Sequence, residues 1–198
     1  MAGKMRLEGE NLKIAMKILK DVGQVLNKAD IHYWLEGGTL LGVIREQRLL
    51  PWDNDMDISM FKTDQGKLFS VVLKLISKGY RISIKRYRST IGPFNKGELR
   101  MIKVRNYKAF LRKGEVLCDI FLKRKVEDEY YWTVGVKTPV LKSTPAEYYE
   151  KVTRVPFDGM EFSVPLDYDG YLTYRYGDWR KTVKTWNFKK DDRAIVKN

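Results

Sequence analysis

The chain holds one cysteine, Cys118, and one histidine, His32, among 198 residues. That scarcity excludes an internal disulfide framework, and it excludes a zinc site built from soft ligands, which draws on several Cys and His together. A single thiol fits a reducing compartment, and the sequence is read as cytoplasmic. Long apolar runs are also missing. No stretch reaches the roughly 18 uncharged residues that a membrane-spanning helix needs, and the opening MAGKMRLEGENLK has no apolar segment of signal-peptide type. Membrane contact is therefore expected to be peripheral. Internal repeats and low-complexity tracts are absent too, which leaves one domain over residues 1–198 with a solvated tail from about Lys189 to Asn198.

Acidic residues are in short supply: 25 against 38 Lys and Arg, a net charge of +13. The deficit is deepest between Arg81 and Lys113. There Lys85, Arg86, Arg100, Lys103, Arg105 and their basic neighbours face Glu98 alone. Single members of such a block read as solvated strand faces, but the block as a whole attracts polyanions: nucleic acid, anionic lipid or a phosphorylated substrate.

Against that background one run stands out, LEGGTLLGVIREQRLLPWDNDMDISM, residues 35–60. It gathers Asp53, Asp55 and Asp57 at alternate positions in an otherwise apolar stretch. Around it the pattern predicts an amphipathic helix through Leu12, Met16, Leu19, Val22 and Leu26, capped by Asn11, and a buried strand over 31–35 ending at Gly37-Gly38. Thr39 is expected to cap a short helix, and Pro51 to mark a loop. From Asp55 the period changes to two, so that Asp55, Asp57 and Ser59 share one strand face and Met56, Ile58 and Met60 the other. Asp64 is expected to cap a helix that stops at Gly79. Strands follow over 80–87, 99–105 and 116–122, then further short strands, and a helix over 168–176.

Two carboxylates two residues apart on one buried strand face repel each other, and burial disfavours their ionisation. A hard divalent cation, Mg²⁺ or Mn²⁺, relieves both difficulties, so the Asp-x-Asp pair predicts half of a metal site. Asp119 is the candidate third ligand, being the only charge in LCDIFL. Three carboxylates around such ions suit in-line displacement at phosphorus. Gly37 and Gly38 would let backbone N–H groups approach a phosphate at a helix N-terminus, and Arg45 could neutralise a phosphate oxygen.

The order strand, Gly-Gly-Thr, short helix, connection, Asp-x-Asp strand resembles the nucleotidyltransferase fold. The string WLEGGTLLGVIREQRLLPWDNDMDI is similar to the signature of the LicD and fukutin-related family, and VLCDIFL and VPFDGMEFSVPLDYDGYLTYRYGDW resemble its later segments. The resemblance runs from about residue 30 to 180. It implies an α+β domain, a mixed β-sheet flanked by helices. It also implies a divalent-cation-dependent transferase that moves a phosphate-linked group, phosphocholine or a polyol phosphate, from a CDP-linked donor to a hydroxyl of a glycan or lipid-linked glycan. On this reading Asp55, Asp57 and Asp119 are catalytic and hold the metal with help from Asp53. Gly37, Gly38 and Thr39 hold the donor phosphates, while Arg45, Lys103 and Arg105 are further phosphate contacts. Trp34 and Trp52 are candidates for base stacking or for the core. His32 reads as an ordinary strand residue and Cys118 as a core thiol.

Two other classes fit parts of the sequence. One is a nucleotidyltransferase that uses an NTP to modify nucleic acid, protein or a small molecule, which the charge favours and the Pro-Trp-Asp-x-Asp-x-Asp string does not. The other is a binding module that grips nucleic acid or an anionic membrane surface beside a vestigial acidic site.

Overall fold

The computed structural model describes residues 5–108, 112–135, 138–183 and 185–196. The expected apolar stripe forms α1 (Gly9–Lys28), with Ile18, Leu19, Val22 and Leu26 fully buried. Its start lacks the expected cap. The N-cap is Glu8, with no side-chain hydrogen bond to the helix, and the Asn11 amide instead donates to the Arg6 carbonyl. The chain turns at Ala29–Asp30 into β1 (Tyr33–Glu36), passes directly into α2 (Gly37–Glu46), and returns as β2 (Met56–Phe61). A 3₁₀ turn (Lys62–Lys67) leads to α3 (Leu68–Ser77), which ends next to Gly79 at φ +84°. Asp64, expected to cap α3, sits within the 3₁₀ turn, where it pairs with Lys67 at 3.2 Å. Then follow β3 (Arg81–Arg86), β4 (Leu99–Lys108), β5 (Arg112–Val126), β6 (Glu129–Val134), β7 (Val140–Pro145), α4 (Glu147–Glu150), β8 (Val152–Phe157), β9 (Met160–Pro165) and α5 (Tyr168–Tyr176).

Among the described residues seven strands make one mixed sheet, the expected α+β arrangement. Its main path runs β1-β2-β5-β4-β3, and β6 and β7 extend it from the far end of β5. The β2–β5 pair is parallel and the other pairs are antiparallel. β8 and β9 form a separate hairpin against β1. The sheet has two unlike faces. One carries Met56, Ile58, Met60, Ile102, Val104, Cys118 and Ile120, all nearly or fully buried, in the core on which α1 and α3 lie. Period-two alternation sends the polar residues of β2, β4 and β5 to the other face.

Part of that second face is covered. Met101 and Phe121 pack there with Trp132 of β6 and Ala194 from near the C-terminus. The expectation of a solvated tail from Lys189 thus fails at Asp192 and Ala194, while Lys189, Lys190, Asp191 and Arg193 are exposed. Asp192 and Ala194 are buried, the Ser143 amide donates to Ala194, and the Val196 amide donates to Leu141. Lys197 and Asn198 lie outside the described residues. Among the described residues no helix is long and apolar enough to cross a membrane.

Candidate active site

The register across the sheet sets the site. Glu36 pairs with Asp57, Asp57 with Asp119, Asp119 with Lys103, and Lys103 with Ser83, so these five side chains form a row on one face. Asp55 lies one step before β2. Carboxylate oxygens of Asp55, Asp57 and Asp119 come within 4.8 Å of one another. Three of the four residues expected at the metal, Asp55, Asp57 and Asp119, are therefore brought together. Asp53 is outside this trio: its Oδ1 accepts the Asn54 amide at 3.0 Å, and its Oδ2 lies over Gly38.

The glycines are there for space. Gly37 has φ +57°, which disfavours other residues, and a Cβ on it would sit 3.0 Å from Asp57 Oδ2. A Cβ on Gly38 would fall 2.2 Å from Asp53 Oδ2. Thr39 does not cap α2 as expected, because that helix already begins at Gly37. Its hydroxyl accepts the Asp57 backbone N–H at 2.8 Å and ties the glycine turn to the acidic strand.

Burial, reinforced by Asp53 and Asp119, pushes the Asp55 carboxyl up to about 7. Burial and Asp55 raise Asp57 well above the carboxylate range. Burial raises Asp119 as well, although Lys103 pulls against it at 2.5 Å from Oδ2. The other oxygen, Asp119 Oδ1, is buried without a hydrogen-bond partner among the described residues. A carboxylate trio held against its own repulsion, with one buried lone-pair oxygen unsatisfied, fits a divalent cation as the missing partner.

The remaining expected contacts divide. Lys103 and Arg105 share the site face of β4, Lys103 committed to Asp119 and Arg105 donating to the Glu115 carbonyl at 3.2 Å. Arg45 is largely buried. Its guanidinium pairs with Glu46 and donates to the Trp179 carbonyl at 3.0 Å, fastening α2 to the segment after α5. Trp34 is fully buried and stacks on Tyr149, Trp52 packs against the core, and Cys118 is buried. His32 is exposed just ahead of β1.

Sequence reasoning missed Glu36. It is buried, and it receives Lys123 at 2.6 Å, Arg175 at 2.8 Å, Ser59 at 2.9 Å, Trp34 at 3.2 Å and the Tyr171 hydroxyl. Burial would raise its pKa, but Lys123 and Arg175 outweigh that and hold the carboxyl far below the usual range. Arg175 continues to Asp192, which also takes Lys142. This network joins the residue before Gly37 to α5, β7 and the C-terminal segment. The available signal was a lone charge in the apolar string YWLEGG.

Residues 30–167 match the family described as LicD/FKTN/FKRP, nucleotidyltransferase domain, and the chain belongs to that family. Human ribitol-5-phosphate transferase FKTN is 26% identical over 189 residues, 94% of this chain and 37% of FKTN. An uncharacterised protein of Rickettsia prowazekii is 26% identical over 181 residues, 90% of this chain and 59% of that protein. The lipopolysaccharide cholinephosphotransferase LicD of Haemophilus influenzae is 32% identical over 68 residues, 34% of this chain and 25% of that enzyme. The chain thus spans less than two thirds of the length of each of these relatives.

Proposed function

We propose that the protein transfers a phosphate-linked group, of the phosphocholine or polyol-phosphate type, from a CDP-linked donor to a hydroxyl of a glycan acceptor. The observation that carries this reading is the trio Asp55, Asp57 and Asp119 beside the glycine turn, with Asp119 Oδ1 buried and without a hydrogen-bond partner among the described residues. The printed names of FKTN and LicD, transferases of ribitol 5-phosphate and of cholinephosphate, support the chemical class.

On this reading the trio holds Mg²⁺ or Mn²⁺, which when bound neutralises charge on the donor phosphates and leaving group. Gly37 and Gly38 present backbone at the N-terminus of α2, where an anion is favoured. Thr39 holds Asp57 in register with that turn. Asp119, oriented by Lys103, is the carboxylate placed to take the proton of the attacking hydroxyl. Arg105 lies on the same face and faces the phosphates. Asp53 supports the metal carboxylates from over Gly38.

Thermal stability of the full chain with Mg²⁺ or Mn²⁺, against CDP-choline, CDP-ribitol, CDP-glycerol, CTP and ATP, tests the reading. The expected result is a metal-dependent shift with one CDP-linked donor that is lost in Asp57→Asn. A shift with ATP or CTP alone would replace it by an NTP-using nucleotidyltransferase.

A further inference from the structure

Helix α3 is apolar on two sides. Leu68, Val71 and Leu75 are buried in the core, but Phe69, Leu73 and Ile76 recur at spacings of four and three along an outer flank, where they are 74%, 51% and 52% exposed. The turn over residues 78–80 sends the chain back along the helix as β3, an edge strand whose one ladder partner among the described residues is β4. Ile84 of β3 opposes Ile102 in register, which puts it on the side of the sheet where α3 lies, and it is 52% exposed. A helix that is apolar on most of its circumference is normally buried. Four large apolar side chains left in water at one edge of the sheet mark a contact surface.

Charge decides what this surface meets. From Leu68 to Gly97 the sequence holds seven Lys and Arg and no Asp or Glu. Lys74 on α3, Arg81, Lys85 and Arg86 on β3, and Arg88 just beyond it are all exposed. Lys78 pairs with Asp21, whereas Lys74, Arg81, Lys85 and Arg88 have no ion pair among the described residues. The acidic residues that flank the stretch are already taken: Asp64 pairs with Lys67, and Glu98 with Lys62 and Arg124.

A second copy of the chain is a poor occupant. Antiparallel pairing of two β3 edges would set Arg81 and Lys85 of one copy against those of the other, and like charges opposed across a ladder destabilise it. Lysine on an edge strand guards against such pairing. An anionic bilayer suits both halves of the surface. Its headgroups answer the cations, its acyl boundary takes the apolar side chains, and the long Lys and Arg stems lie along the apolar flank while their charges reach the headgroups. With 10 residues, α3 is far short of the roughly 20 that a span requires, so the contact lies in the plane of the interface.

We propose that the outer flank of α3, together with Ile84 of β3, seats on the surface of an anionic phospholipid bilayer. Phe69 and Leu73 enter the acyl boundary, and Lys74, Lys85, Arg86 and Arg88 engage the headgroups around them.

The test is co-sedimentation of the full chain with vesicles of phosphatidylglycerol or of phosphatidylcholine, for wild type, Phe69→Ser/Leu73→Ser and Lys74→Gln/Lys85→Gln. The expected result is binding to phosphatidylglycerol over phosphatidylcholine. Loss of two buried apolar side chains should weaken it about tenfold or more, and loss of two cations about tenfold. All four positions are exposed, so the urea midpoints should match wild type. Phe69→Trp gives a second reading that removes nothing: its emission should shift to the blue with phosphatidylglycerol vesicles and not with soluble glycerol phosphate, which separates a lipid surface from a free phosphate. Should the serine pair lower the urea midpoint, that emission decides alone. Equal vesicle binding by the serine pair, equal binding to the two lipids, or an unshifted Trp would each overturn the proposal. Self-association of the wild type that the serine pair abolishes, without vesicle binding, would overturn it in favour of a second copy. No nucleotide is present in these measurements, so failure here leaves the donor reading where it stands.

Discussion

Asp57 and Asp119 stand directly opposite each other in the parallel β2–β5 pair, and Lys103 engages Asp119 but leaves Asp57 without an ion-pair partner among the described residues. The asymmetry makes Asp57 the most electrostatically disfavoured member of the trio, buried beside two other carboxylates and next to Glu36 in the row.

Replacing Asp57 by Asn should therefore stabilise the metal-free protein. Removing one of several repelling charges is expected to gain about 1 kcal/mol, a rise of roughly 2–4 °C in Tm for a domain of this size. The same substitution should abolish stabilisation by Mg²⁺ or Mn²⁺. Calorimetric melts with and without the ions check both halves, and a metal-free variant that melts well below wild type would contradict the first.

Stability of the metal-free protein should fall as pH rises from 5 to 7. A carboxyl whose folded pKa lies above its unfolded value binds its proton more tightly in the folded state, so its contribution is complete below the unfolded pKa and is lost as pH rises through the folded one. For Asp55 that window runs from the ordinary 3.8 to about 7. Glu98, held down to about 2 chiefly by its hydrogen bond from Lys62, has the opposite sign and acts only below this range. Urea denaturation at pH 5, 6 and 7 measures the slope. Adding Mg²⁺ should flatten or reverse it.

Gly38→Ala should cripple the site at modest cost to the fold. The new methyl falls 2.2 Å from Asp53 Oδ2, so Asp53 must leave its place over the turn. Overpacking of this kind costs about 1–3 kcal/mol. The expected outcome is a folded protein, by urea midpoint and circular dichroism, that no longer shifts with metal and donor.

Glu36→Gln should be the most damaging of these substitutions to stability. It leaves Lys123 and Arg175 buried without their common counter-charge, for which a loss of about 3–5 kcal/mol is typical. Ser59→Ala, which removes one hydrogen bond to the same carboxylate, should lose about 1 kcal/mol. Equal urea midpoints for the two variants would show that the ion pairs are not what holds the network.

The parts of the fold legible in the sequence are those written in local periods. The α1 stripe, the alternation of β2, the stop at Gly79 and the helix over Tyr168–Tyr176 each follow from spacing within a few residues. Asp119 was readable as a lone charge in an apolar strand. Asn11, Thr39 and Asp64 were misread as caps because a polar side chain near a helix start has competing partners; Thr39 spends its hydroxyl on Asp57, 18 positions away. The tail was misread for a similar reason. Its charged composition suggests solvent, but Asp192 finds Lys142 and Arg175 in the interior, and no local pattern encodes a partner 50 positions distant. Glu36 and Arg175 are separated by 139 positions.

The parallel pairing of β2 and β5 also sets an order of events during folding. The chain makes α3, β3 and β4 between those strands, so Asp55 and Asp57 have no third carboxylate until β5 inserts at the middle of the sheet. Such distant pairings form late, after the loop-closure entropy has been overcome. A nascent chain that has emerged only as far as β4 holds an acidic strand and a glycine turn but no assembled acidic trio, and capacity to bind the ion arrives together with the central strand.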